Sequence, residues 1–246
     1  MSQGRDTIIT YRGPSMYDPT STIFSALTVG STNKKTGNMP QQYIFRQDVS
    51  PVAATRQGLD FAVCGCCMAR PIDLGGCYVV GYKLDGWWRA WRNRPVATDK
   101  QILHTIGYRP VRLGAYGDTA AMPPREVLRL VSLAKGRVTN YTHGWTTLGW
   151  KAIDFLRPFT MASVESEAEA AAAWLRGWRT YRIIDPDHDV KLREEVRCPY
   201  ETTGLQCYDC LLCDGAKRRA DSIVIDAHGS EASTLPKIRR VLDSKR

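Results

Sequence analysis

The chain has 246 residues, with 34 Lys and Arg against 25 Asp and Glu and a formal net charge of +9. Hydrophobic residues make up 43% and charged residues 24%, a globular usage that excludes low-complexity disorder for most of the chain and fits one large domain or two small ones. No run of about 18 apolar residues occurs, so no transmembrane helix or membrane partner is expected. The opening MSQGRDTIITYRG lacks the apolar core of a signal peptide, which points to the cytoplasm, and the positive charge points to nucleic acid or another polyanion.

Residues 1–41 are polar and rich in Gly, Ser, Thr and Pro, and read as an irregular arm. Strands are expected over residues 42–46 and 78–82, the second leading into GWWRAWRNRP. A further strand, VRLGAY at 111–116, ends in Gly117-Asp118. Pro123 and Pro124 suit the first turn of a helix, where a missing N–H does no harm, and Gly136 stops that helix after about residue 134. A short strand over 138–141 follows, then a helical pattern over 145–156 carrying Leu148, Ile153 and Leu156, then a strand over 159–162. Ser166-Glu167-Ala168-Glu169 is a capping box before an alanine-rich helix that runs to Arg176 and stops at Gly177. The last strands fall at 181–184 and 222–227, with a cysteine-rich excursion between them.

Strands alternating with helices predict an α/β fold with a parallel sheet: a complete or partial parallel (β/α) barrel with cysteine-rich metal-binding insertions, or an open doubly wound sheet. The expected organisation is an arm at 1–41, a barrel-like catalytic domain at 42–230 carrying Cys-rich segments 64–77 and 198–213, and a basic C-terminal segment at 231–246. No Gly-rich dinucleotide or P-loop string is present, so nucleotide-cofactor binding has no support in the sequence.

The eight cysteines fall into two clusters. In a cytosolic chain thiols stay reduced, so metal ligation explains them better than disulfides. The second cluster reads Cys198-x8-Cys207-x2-Cys210-x2-Cys213, in which each C-x-x-C turn brings two sulfurs toward one ion. Four thiolates close a tetrahedral Zn2+ site, and a [4Fe-4S] cluster is the alternative. In the first cluster Cys64 and Cys67 form a C-x-x-C and Cys77 follows, leaving a position open for His, carboxylate, water or substrate. Cys66 either replaces one of these or stands aside, and the two clusters either bind separately or meet in space.

Sites in parallel α/β folds form at the carboxyl ends of the strands. Asp118, His143 and Glu165 each follow an expected strand and are the candidate catalytic residues; Asp185, Asp187, Asp226 and His228 follow later ones. The plainer readings are a helix cap for Asp118, a hydrogen-bonded loop histidine for His143, a charge at a helix N-terminus for Glu165, and a turn at Asp185 and Asp187. His228 reads as a metal ligand or a loop residue. In GWWRAWRNRP, Trp87, Trp88 and Trp91 offer faces for base stacking, and Arg89, Arg92 and Arg94 offer phosphate contacts. A buried helix with snorkelling arginines is the alternative.

Thr36-Gly37, the C-x-x-C with Cys77-Tyr78, RLGAYGD, NYTHGW, FTMASVESEAEA, the later cysteine run and IDAHG form an ordered set. Over residues from roughly 30 to 230 this order resembles bacteriophage proteins of the gene 88-like group. More distantly, it resembles the phage relatives of tRNA-guanine transglycosylase. That resemblance implies a barrel with a cysteine-rich metal site. It also implies exchange of guanine in DNA for a 7-deazaguanine base such as preQ0, which shields phage DNA from host restriction. In that chemistry a carboxylate attacks the sugar C1′ and a second acid protonates the leaving base. Asp118 would be the nucleophile, and Glu165 or His143 the acid/base. Cys64-x-Cys66 matches the first step of the family's cysteine motif, while the C-x-x-C that should follow is absent. Two readings from other classes stand beside it: an iron–sulfur redox or radical enzyme on a partial barrel, and a non-catalytic, metal-stapled DNA-binding protein.

Overall fold

A computed structural model describes residues 6–70, 77, 79, 81–148, 150–227, 232–236 and 240. Its described strands form two five-stranded sheets. The first has the order β1 (Ile8–Pro14), β2 (Thr22–Leu27), β3 (Gln41–Arg46), β4 (Val111–Tyr116) and β5 (Val138–Thr139). Its β1–β2 and β2–β3 pairs are antiparallel, and its β3–β4 and β4–β5 pairs are parallel. The second contains β6 (Tyr141–Thr142), β7 (Met161–Val164), β8 (Thr180–Ile184), β9 (Glu195–Arg197) and β10 (Ser222–Asp226), in the order β6-β7-β8-β10-β9 and parallel throughout. The fold is therefore α/β. Each sheet has a linear strand order, so no closed ring of strands is present among the described residues.

One residue joins the two sheets. Asn140 lies between β5 and β6, is fully buried, and stands where the strand leaves one ladder for the other. Its side-chain amide donates to Thr119 Oγ1 and Thr160 Oγ1, both at 2.8 Å, and its backbone N–H donates to the Cys213 carbonyl at 3.3 Å. Its own carbonyl accepts from Met161 N at 2.9 Å. The polar groups left over where the ladders change partners are thus satisfied.

Among the described residues, four helices lie between β3 and β4: α1 (Pro51–Arg56), α2 (Phe61–Cys64), α3 (Gly81–Trp91) and α4 (Asp99–Ile106). Thr98 and Gln101 form a reciprocal capping box at the start of α4. Helix α5 (Pro124–Leu133) connects β4 to β5. Helices α6 (Gly144–Thr147) and α7 (Trp150–Ile153), with a 3₁₀ segment over Asp154–Phe159, connect β6 to β7. Helix α8 (Glu167–Leu175) connects β7 to β8, with Ser166 accepting from Glu169 N as its cap. Helices α9 (Pro199–Thr203) and α10 (Cys207–Cys210) lie between β9 and β10. Among the described residues no helix is long and apolar enough to cross a membrane.

Three expectations change. Residues 1–41 are not an irregular arm: β1 and β2 pair as antiparallel neighbours and send Ile9, Ile23, Phe24 and Leu27 fully into the core. Most of the Gly, Pro and Ser residues that suggested a loop fall at the end of β1 and in the connections after β1 and β2, while the strands are rich in β-branched and aromatic residues. The strand expected at 78–82 is helical from Gly81 onward, and Tyr78 and Val80 lie outside the described residues. The helical pattern at 145–156 breaks into α6, α7 and the 3₁₀ segment, which contains Pro158 and runs into a strand beginning at Met161 rather than at 159. Of the expected basic segment at 231–246, residues 232–236 and 240 are described and the others lie outside.

Candidate catalytic rim

Strand β4, the β5–β6 segment and β7 are neighbours and run parallel, so the residues following them line one edge. Asp118, His143 and Glu165 meet there. Gly117 makes the turn after β4 at φ +76, and a Cβ on it would lie 2.9 Å from Ile44 Cβ and 3.0 Å from the Ile44 carbonyl. Only glycine fits that turn.

Asp118 is 7% exposed, and both its oxygens are engaged. It accepts from Ala120 N at 2.9 Å, from Thr142 Oγ1 at 2.8 Å, from His143 N at 2.8 Å and from Gly144 N at 3.2 Å. It caps the short 3₁₀ turn Thr119–Ala121 and fixes the backbone that carries His143. Its geometry is that of a positioning residue, because the lone pairs a nucleophile would use already hold backbone and hydroxyl donors. The helix-cap reading is met at this turn rather than at α5, whose N-cap is Pro123.

His143 has the more exposed chemistry. Its Nε2 lies 2.6 Å from Glu165 Oε1 and 4.0 Å from Cys67 Sγ. Burial alone would disfavour the imidazolium. Cys67 and Glu165 outweigh burial, and the pKa stands well above the ordinary histidine value. Glu165 in turn donates its backbone N–H to Glu169 Oε2 at 2.9 Å. Burial, followed by the Glu165 charge, lifts the Glu169 carboxyl to about 7.

Both shifts have measurable signs. An NMR titration is expected to show the His143 imidazole protonated well above its ordinary pKa of 6.5, and Glu165→Gln is expected to move that titration downward. A titration near 6.5 in both proteins would contradict the ion pair. Glu169 has a folded pKa of about 7 against an ordinary 4.5, so its proton is held more tightly in the folded state. That contribution is complete below the unfolded pKa and is lost as pH rises through the folded one. Glu169→Gln keeps an acceptor for the Glu165 N–H without the charge. It is expected to raise the thermal midpoint at about pH 8, with the gain fading below about pH 5; an equal gain at both pH values would rule out the charge effect.

Cys64, Cys67 and Cys77 act electrostatically on one another near this rim. Burial raises the Cys64 thiol well above its usual pKa, with Cys67, Asp60 and Cys77 adding to the shift. Burial also raises Cys77, while His143 opposes it. Cys66 is exposed. Sequence reading missed Tyr17, whose hydroxyl is buried beside Asp118; burial and then the Asp118 charge hold it well above the usual tyrosine range. It also missed Glu169 as a partner of Glu165, because the capping box gave that residue a sufficient local explanation.

The second cysteine cluster gathers elsewhere. Cys198, Cys207, Cys210 and Cys213 line one cavity of about 20 Å³ with Tyr141 and Tyr181. Cys64, Cys67 and Cys77 are not among the residues that line this cavity. All eight cysteines are free of disulfides. Among the described residues, no three His, Cys, Asp or Glu side chains stand in a preformed metal-holding arrangement.

The tryptophan segment is a core helix, which corrects the stacking expectation. Trp91 is fully buried, stacks on Trp87 at 5.3 Å and meets the Phe45 edge at 6.0 Å. Trp88 is 8% exposed and donates to the Arg46 carbonyl at 2.8 Å. Arg92 lies 4.3 Å over the Trp88 ring, and Arg94 donates to the Thr7 carbonyl at 2.6 Å, while Arg89 is exposed. The buried-helix reading with snorkelling arginines describes this segment. Asp185 accepts from Asp187 N at 3.1 Å and pairs with His188, as the turn reading expected. His228 lies outside the described residues. No protein-family model, curated protein or solved structure matches the chain, and the site is read from its own geometry.

Proposed function

We propose that the chain is an enzyme that modifies nucleic acid, with its reaction centre at the rim formed by Cys67, His143 and Glu165. The observation that carries this reading is His143 Nε2, held 2.6 Å from the Glu165 carboxylate and 4.0 Å from the Cys67 thiol. An oriented imidazole of raised pKa delivers a proton to a leaving group and recovers it from an incoming one. The six parallel strands β3, β4, β5–β6, β7, β8 and β10 are taken as a partial barrel whose mouth is this rim. The net charge of +9 supports a polyanionic substrate.

The specific form proposed is base exchange in DNA, with guanine released and a 7-deazaguanine such as preQ0 installed. The glycosidic C1′–N9 bond to guanine breaks as His143 gives its proton to the leaving purine, and the incoming 7-deazaguanine forms the new bond from its N9 to C1′ and returns its N9 proton to His143. Asp118 positions His143 in this account and does not attack the sugar. The target base must leave the stack to reach the rim. The test is mass analysis of nucleosides from DNA of cells that express the wild type or His143→Gln and are supplied with preQ0. A deazaguanine nucleoside with the wild type alone is expected. Identical nucleoside profiles would remove the proposal.

One observation favours a second reading. Cys64, Cys67 and Cys77 influence one another electrostatically near the same rim, and with a fourth ligand they would supply the donors of an iron–sulfur cluster. Anaerobically purified protein would then carry visible iron–sulfur absorbance that Cys64→Ser abolishes. Colourless protein with intact thiols would dismiss it.

A further inference from the structure

We propose that Cys198, Cys207, Cys210 and Cys213 form a tetrathiolate site for one Zn2+ ion, away from the rim and independent of its chemistry. The four residues come from two turns of chain and line one cavity of about 20 Å³. That volume holds a body the size of a water molecule or a single ion.

The backbone around the cavity is already anchored. Cys198 N donates to the Val224 carbonyl and Cys207 N to the Lys35 carbonyl, both at 2.9 Å. Arg179 holds the Leu212 carbonyl at 2.8 Å. Helix α10 ends on Leu211, a non-glycine residue in the left-handed region at φ +50, and this turn carries Cys213 back to the cavity that Cys207 and Cys210 line. The sulfurs are not in the geometry of a bound ion, so binding needs rotation of the thiols inward while the main chain stays in place.

The charges around the cavity suit the product. Four thiols and one Zn2+ give a zinc tetrathiolate of charge −2 and release four protons, with no change of oxidation state. Lys35 lines the same cavity, and its positive charge favours the anionic product. Four cysteines lining one cavity, with Lys35 beside them, supply the donor set that a tetrahedral Zn2+ requires.

The full chain, purified from zinc-supplemented cells, is assayed for metal by mass spectrometry, and the chelated protein is titrated with Co2+. The expected results are zinc bound at these thiols and, in the wild type, intense sulfur-to-cobalt charge transfer with the visible bands of a tetrahedral four-thiolate site. Cys210→Ser/Cys213→Ser loses about one equivalent of zinc per chain, and Cys66→Ser keeps it. The cobalt spectrum is read on unmutated protein, so an unstable variant does not blunt the test. Three results would overturn the site: no zinc and no charge-transfer band, full zinc retention by the double variant, or an iron–sulfur chromophore lost in that variant.

Discussion

Asp118→Ala is expected to lower the unfolding free energy by roughly 2–4 kcal/mol, because it leaves several buried donors unpaired at once. The substitution strips the acceptor from Ala120 N, Thr142 Oγ1, His143 N and Gly144 N together. Each buried donor left unpaired costs about 1–3 kcal/mol, less whatever water recovers in the space vacated. Urea unfolding monitored by tryptophan fluorescence measures the loss. The same variant separates two roles. A nucleophilic aspartate, when removed, leaves a stable and inactive protein. A positioning aspartate, when removed, leaves a destabilised one. A loss below about 1 kcal/mol would return Asp118 to the list of reacting groups.

The second large effect lies at Arg182 and Glu195, both with fully buried side chains. Arg182 Nε and Nη2 each donate to a Glu195 oxygen at 2.7 Å, and Nη2 also reaches the Val190 carbonyl at 2.8 Å. Glu195 Oε2 accepts from Leu192 N at 2.9 Å, so the pair ties the connection after β8 to the start of β9, just ahead of Cys198. Arg182 Nη1 is buried without a partner. Glu195→Ala leaves a buried guanidinium uncompensated and is expected to cost about 3–5 kcal/mol. Arg182→Met/Glu195→Leu removes both charges and is expected to cost clearly less than Glu195→Ala alone. If the double variant is the less stable of the two, the pair contributes more than its mutual compensation.

Local signals carried much of the fold. The punctuation by Pro123-Pro124 and Gly136, the Ser166 capping box and the apolar runs VRLGAY and SIVID located helices and strands within a few residues. These signals are local because caps and turns are set by neighbours in sequence. The hairpin of β1 and β2 was hidden because its turn residues dominate the composition of residues 1–41, while the pairing that makes it a sheet is long-range. The tryptophans were ambiguous for a related reason: spacing places Trp88 and Trp91 on one face without saying whether that face meets solvent or Phe45.

At the rim, the rule that residues after parallel strands share an edge was enough to bring Asp118, His143 and Glu165 into one list. It could not assign roles. Asp118 and His143 both follow strands, and only the donors around each show that one is occupied by backbone while the other faces a thiol and a carboxylate. Strand β9 was missed because its three residues, Glu195-Val196-Arg197, have no alternation long enough to recognise. It pairs with β10 through a short parallel ladder, and its Glu195 also holds the buried Arg182 of β8, a contact across 13 residues.

The reading of the rim as a reaction centre is tested most directly by transfer of labelled preQ0 into DNA in vitro, comparing wild type with a His143→Gln protein whose unfolding midpoint matches it. The account predicts label in nucleosides from the wild-type reaction and none from the variant. Equal labelling by both proteins, or no labelling by metal-replete wild type on double- and single-stranded DNA, would contradict it.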